Sequence, residues 1–72
     1  MPDQRAAMVE IARRVNKARQ VVGWSQNELA DRAGVSRPSV VRVEHGYDVN
    51  TATLSKIADV LGLTVQVTSQ SD

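Results

Sequence analysis

Arg37 and Arg42 stand in a segment with no acidic residue between them, the next acid being Glu44. Each guanidinium is a planar fork of donors that stays charged, and it fits paired acceptors such as O6 and N7 of guanine, or a phosphate. Pro38 and Val41, lying between them, offer only apolar contact. Other site chemistries lack their residues. There is no cysteine, hence no disulfide and no thiolate metal site, and the one histidine, His45, cannot build a zinc centre. Neither a Ser-His-Asp set nor a carboxylate pair near His45 is present, and 72 residues are too few to enclose a pocket, so neither an enzyme nor a cofactor is expected.

The elements that must carry these arginines are written in the segment from Ser25 to Gly46, which contains two helix start signals and two stop signals. Ser25 and Glu28 make an S-x-x-E capping box, in which the serine oxygen accepts from the third helical amide and the glutamate reaches back to the serine amide. Trp24 before the cap and Leu29 inside it are spaced as a hydrophobic staple. Gly34 supplies the left-handed residue that ends this helix, Val35 turns back to the core, Ser36 caps the next helix and Gly46 closes it. Pro38 falls in a first turn, where its missing amide costs little, so Ser36 must cap the amide of Ser39. Two short helices joined by a turn of about four residues form a helix-turn-helix, a DNA-reading geometry.

The rest of the chain supports this pair. A first helix is expected from Asp3 to about Val22, with Met8, Ile11, Val15, Ala18 and Val22 as one apolar stripe and Arg5, Arg13, Arg14 and Lys17 on a solvated face. Helices over about 26–33 and 37–45 place Leu29, Ala30, Ala33, Val40 and Val43 inward. A fourth, capped by Thr51 and running over about 52–61, has a core face of Leu54, Ile57, Ala58 and Leu61, and Gly62 ends it. Residues 63–68 alternate apolar and polar and are rich in β-branched types, which reads as a strand. A lone strand leaves its amides and carbonyls unpaired, so the economical solution is an antiparallel ribbon across a dimer two-fold through Leu63, Val65 and Val67. The alternative is an extended, solvated tail.

These residues together resemble the Cro/repressor (Xre) helix-turn-helix family. The resemblance covers roughly Asn16 to Gly62 and rests on Gly23-Trp24-Ser25-Gln26, Leu29-Ala30, Gly34-Val35-Ser36, Ser39-Val40 with Val43-Glu44 and Gly46, and the Leu54, Ile57-Ala58, Leu61-Gly62 pattern. It implies an all-α, lambda-repressor-like fold of four helices. The strand departs from the commoner fifth helix and resembles the ending of HipB-type antitoxins, in which such strands pair in the dimer.

For the site, the resemblance implies that the second motif helix enters the major groove of double-stranded DNA. Arg37, Pro38, Val41 and Arg42 would then meet base edges, the alternative for either arginine being phosphate alone. Gln26 matches a position where the family bridges a phosphate and the reading helix. Ser36, Ser39, His45, Tyr47 and Asn50 join the phosphate set, with local capping as the other use of the serines and a helix-dipole contact as the other use of His45. Arg19 and Glu44 match a structural ion pair tying the first helix to the third, and Trp24 reads as packing, not as a platform for bases.

Composition sets outer limits. One domain spanning 1–72 would bury about 60% of its unfolded surface, which leaves marginal stability that dimerisation would help. No apolar run reaches membrane-spanning length and the first residues lack a signal-peptide core, so no membrane partner and a cytoplasmic location are expected. The net charge of +1 argues for nothing by itself; the distribution of the arginines does. The function expected is a repressor-type transcriptional regulator reading a palindromic operator. The alternative is an antitoxin that neutralises a partner toxin and represses its own operon, since one fold serves both.

Overall fold

The computed structural model describes residues 4–64. Their regular structure is helical throughout: α1 Gln4–Val22, α2 Gln26–Ala33, α3 Arg37–Glu44 and α4 Thr51–Leu61. Leu63 and Thr64 are irregular, while Asp3, Val65, Val67 and the remainder of the expected strand lie outside the described residues.

The caps explain where the helices begin. Ser25 is extended (φ −76°, ψ 169°) and its Oγ accepts the Glu28 amide at 3.0 Å. The other half of the capping box is not made: the Glu28 carboxylate instead accepts from Arg32 at 3.3 Å, one turn along. A charged donor makes a stronger hydrogen bond to a carboxylate than a neutral amide does. Ser36 caps α3 by accepting the Ser39 amide at 3.3 Å, with Pro38 in the first turn. At α4 the cap is Asn50, not Thr51. Asn50 Oδ1 accepts the Thr53 amide at 2.8 Å and its carbonyl accepts the Leu54 amide at 3.1 Å, which makes Thr51 the first helical residue. Asparagine ranks above threonine as a cap, and the two stand side by side.

The stops are equally local. Gly34 at φ 71° lets the Val35 amide reach back to Ala30 O at 3.0 Å, turning half-buried Val35 onto the core. The α3 helix ends at Glu44 with His45 as its cap, one residue short of the expected span.

The core lies where α1 and α2 each pack against α3 and α4. Val15, Leu29, Val40, Val43 and Ile57 are under 2% exposed, and Ala12, Ala30, Ala33, Leu54 and Ala58 fill between them. Ala12 is buried although it lies off the expected apolar stripe, and Val22, on that stripe, is 46% exposed. The reason is the turn at Gly23 (φ 77°): the Trp24 amide bonds to Arg19 O at 3.1 Å, and Trp24 takes the place on the core that the stripe assigned to Val22.

Loss of the Asn50 cap is expected to cost about 1 kcal/mol, whereas Thr51→Ala stays within a few tenths. Urea denaturation of the two variants checks this, and the reverse order would return the cap to Thr51.

Candidate nucleic-acid interface

The two faces of α3 have opposite character. Val40 and Val43 are fully buried, while Arg37, Pro38 and Arg42 on the other side are exposed and Val41 is half-buried. No acidic side chain among the described residues forms an ion pair with Arg37 or Arg42. Arg42 instead lies over the ring of Tyr47, 6.0 Å from its centroid, with Nη2 at a long 3.5 Å from Asp48 O.

Glu44, at the end of α3, turns inward, and its side chain is 3% exposed. The carboxylate accepts from Arg19 Nε at 2.6 Å and Arg19 Nη2 at 3.1 Å, from Asn16 Nδ2 at 3.1 Å and from Gln26 Nε2 at 3.1 Å. Arg19, 15% exposed, spends Nη1 on the Trp24 carbonyl at 2.8 Å. One carboxylate thus joins α1, α2 and α3. Burial pushes its pKa up, but hydrogen bonds from Arg19, Gln26 and Asn16 and the charge of Arg19 outweigh this and hold it below the ordinary glutamate value.

The remaining candidates surround this frame. Gln26, at the first position of α2, has one amide hydrogen on Glu44 and therefore a second still to offer. Ser36 Oγ and Ser39 Oγ are 2.9 Å apart in the first turn of α3. His45 caps α3 and meets Tyr47 edge-on, ring centroids 6.1 Å apart. Asn50 commits Oδ1 to capping, which leaves its Nδ2 free to face solvent. Leu63 is half-buried at the end of α4, away from these residues in the chain.

Two participants escaped the sequence reading. Asn16 donates to Glu44, and Gln20 Nε2 donates to Asn16 Oδ1 at 2.7 Å, so the polar network runs further along α1 than one arginine. Their signal is spacing, since Asn16, Arg19 and Gln20 fall at i, i+3 and i+4 on one face. Arg32 stacks over Trp24 at 4.5 Å, and nothing in the residue pattern pointed to it.

Comparison with known proteins agrees with this geometry. A helix-turn-helix family model matches residues 15–67, from the middle of α1 past the end of α4. The chain belongs to the Cro/repressor helix-turn-helix family. In that family's terms α2, the turn at Gly34 and α3 are the motif, and the chain carries a DNA-binding helix-turn-helix domain. A protein of Archaeoglobus fulgidus provisionally named an HTH-type transcriptional regulatory protein is 37% identical over 49 residues, 68% of this chain. The match spans only 16% of that protein's length. Among the described residues no helix is long and apolar enough to cross a membrane.

Arg19→Ala strands Glu44 in a buried place and is expected to cost about 3 kcal/mol of stability. Replacing both residues with apolar ones of similar size should recover part of that loss, and additive effects in thermal melts would deny the contact. The sign of the pH dependence follows from the lowered carboxyl. Glu44 contributes stability fully above its unfolded value of about 4.3, and the contribution drains away as pH falls through the lower folded value. The double variant should therefore lose less stability than the parent between neutral pH and acid.

Proposed function

We propose that this chain is a sequence-specific regulator of transcription, repressor in type, that reads double-stranded DNA with α3 in the major groove. The observation carrying this reading is the outer face of α3, where Arg37 and Arg42 stand exposed on a helix whose other face is locked by Val40, Val43 and Glu44. Guanidinium forks on a rigid helix suit the paired acceptors of guanine, and Pro38 and Val41 suit a thymine methyl. Around them Gln26, Ser36, Ser39, His45, the Tyr47 hydroxyl and Asn50 Nδ2 contact phosphates, helped by the free amides at the start of α2. The name of the archaeal relative supports regulation of transcription as the use of this binding.

The reading extends to a homodimer on a palindromic operator with half-sites about 34 Å apart. Leu63, Val65 and Val67 form one apolar face of a strand that pairs with its copy in the partner. Two half-sites then gain from each other's effective concentration. One observation favours the antitoxin alternative. An open groove of about 420 Å³ is lined by Ala18, Val21, Val22, Leu61 and Leu63 and edged by Arg13, Arg14 and Lys17, an apolar surface that contact with DNA does not use. In that reading the groove receives a toxin.

Arg37→Ala and Arg42→Ala are each expected to lower affinity for the cognate duplex by about 1 to 3 kcal/mol and to leave a scrambled duplex nearly unaffected. Equal weakening on both duplexes at fixed salt would make these arginines phosphate contacts. For the dimer, Val65→Pro removes a ladder donor and is expected to shift sedimentation toward monomer and weaken binding to the palindrome. An unmodified protein that sediments as a monomer, or a chain ended at Gly62 that stays dimeric, contradicts the strand.

A further inference from the structure

The end of α3 is built around Tyr47. Gly46, at φ 81°, lets its own amide bond to Val43 O at 3.0 Å and the Tyr47 amide bond to Arg42 O at 2.9 Å. This pair of bonds is a Schellman cap, in which the second residue past the capping residue packs against the side chain five positions earlier. Here those two residues are Tyr47 and Arg42. The usual apolar contact of such a cap is replaced by a cation over a ring, 6.0 Å from guanidinium to centroid. His45 supports the ring from its edge at 6.1 Å, and the Asp48 carbonyl lies 3.5 Å beyond the guanidinium. Gly46 itself lies near Val9 of α1, where a side chain would meet it. Tyr47 is 58% exposed, far more than core packing would leave it.

We propose that Tyr47 is a positioning residue for DNA reading: its ring, fixed by the α3 cap, orients Arg42 and so sets how sharply Arg42 discriminates between bases. The inference rests on the assignment of Arg42 to a base edge. A long, exposed arginine loses much rotational freedom when it engages a base, and a ring beneath its guanidinium removes part of that freedom beforehand. The hydroxyl and the ring of Tyr47 then act separately, the hydroxyl on phosphate and the ring on specificity.

The test uses the full chain and two duplexes, one recovered by selection from a random pool and one scrambled, titrated at fixed salt. Tyr47→Ala is expected to narrow the ratio of the two affinities about two- to fivefold, the range of an exposed cation over a ring. Tyr47→Leu, which keeps an apolar cap contact, should narrow it similarly, and Tyr47→Phe should leave the ratio unchanged. In an Arg42→Ala background Tyr47→Ala should have no further effect on the ratio. The inference is overturned if Tyr47→Ala weakens both duplexes by one factor, or narrows the ratio as much without Arg42 as with it. In either case Arg42→Ala still narrows the ratio and the base-reading assignment survives. If Arg42→Ala leaves the ratio untouched, that assignment falls and this inference falls with it.

Discussion

A single buried carboxylate, that of Glu44, fixes how the first three helices meet. Taking an ion out of water is costly, and the cost is offset only when the charge finds an opposite charge and further donors in good geometry. Arg19, Asn16 and Gln26 supply those donors from α1 and α2, and no buried side-chain polar atom among the described residues is left without a partner. The surrounding core is made of valine, leucine, isoleucine and alanine. Such side chains attract without direction, so several helix orientations could bury similar areas. The carboxylate accepts its donors from few directions, and this selects one.

That selection matters because α3 is only eight residues long. A short helix has little packing of its own, and most helical stability in proteins comes from tertiary contact. Both ends of α3 are therefore fixed by local bonds, Ser36 at the start and the Gly46–Tyr47 turn at the end, while Val40 and Val43 anchor its inner face. What remains, the outer face with Arg37, Pro38 and Arg42, is not part of the core. Those residues are free to be chosen for what they touch.

Most of this architecture is legible in the residues themselves. Ser25, Gly34, Ser36 and Gly62 each mark a helix boundary by a mechanism confined to a few neighbours, and the structure places the boundaries there. Where neighbours compete, local rules lose resolution. Asn50 and Thr51 are adjacent cap formers, and the choice depends on how the loop after α3 enters α4. Glu28 has two partners within reach and takes the charged one. The Arg19–Glu44 contact spans 25 positions and no local pattern announces it; it entered only through the family resemblance. Asn16 and Gln20 carry no role in the sequence alone, because their spacing on α1 acquires meaning only once α3 is docked. The alternation of residues 63–68 suggests a strand in any context, and pairing belongs to a partner that one chain's residues do not specify.

The central claim is that α3, oriented by Glu44, lies in the major groove with its arginines on guanine. Dimethyl sulfate protection of a bound cognate duplex tests it directly, because the reagent methylates guanine N7 in the major groove and adenine N3 in the minor groove. The account predicts protected guanines in two patches about one helical turn apart, with individual guanines becoming reactive again for Arg37→Ala or Arg42→Ala. Protection confined to adenine N3, or guanines that stay fully reactive beneath a bound protein, would contradict it.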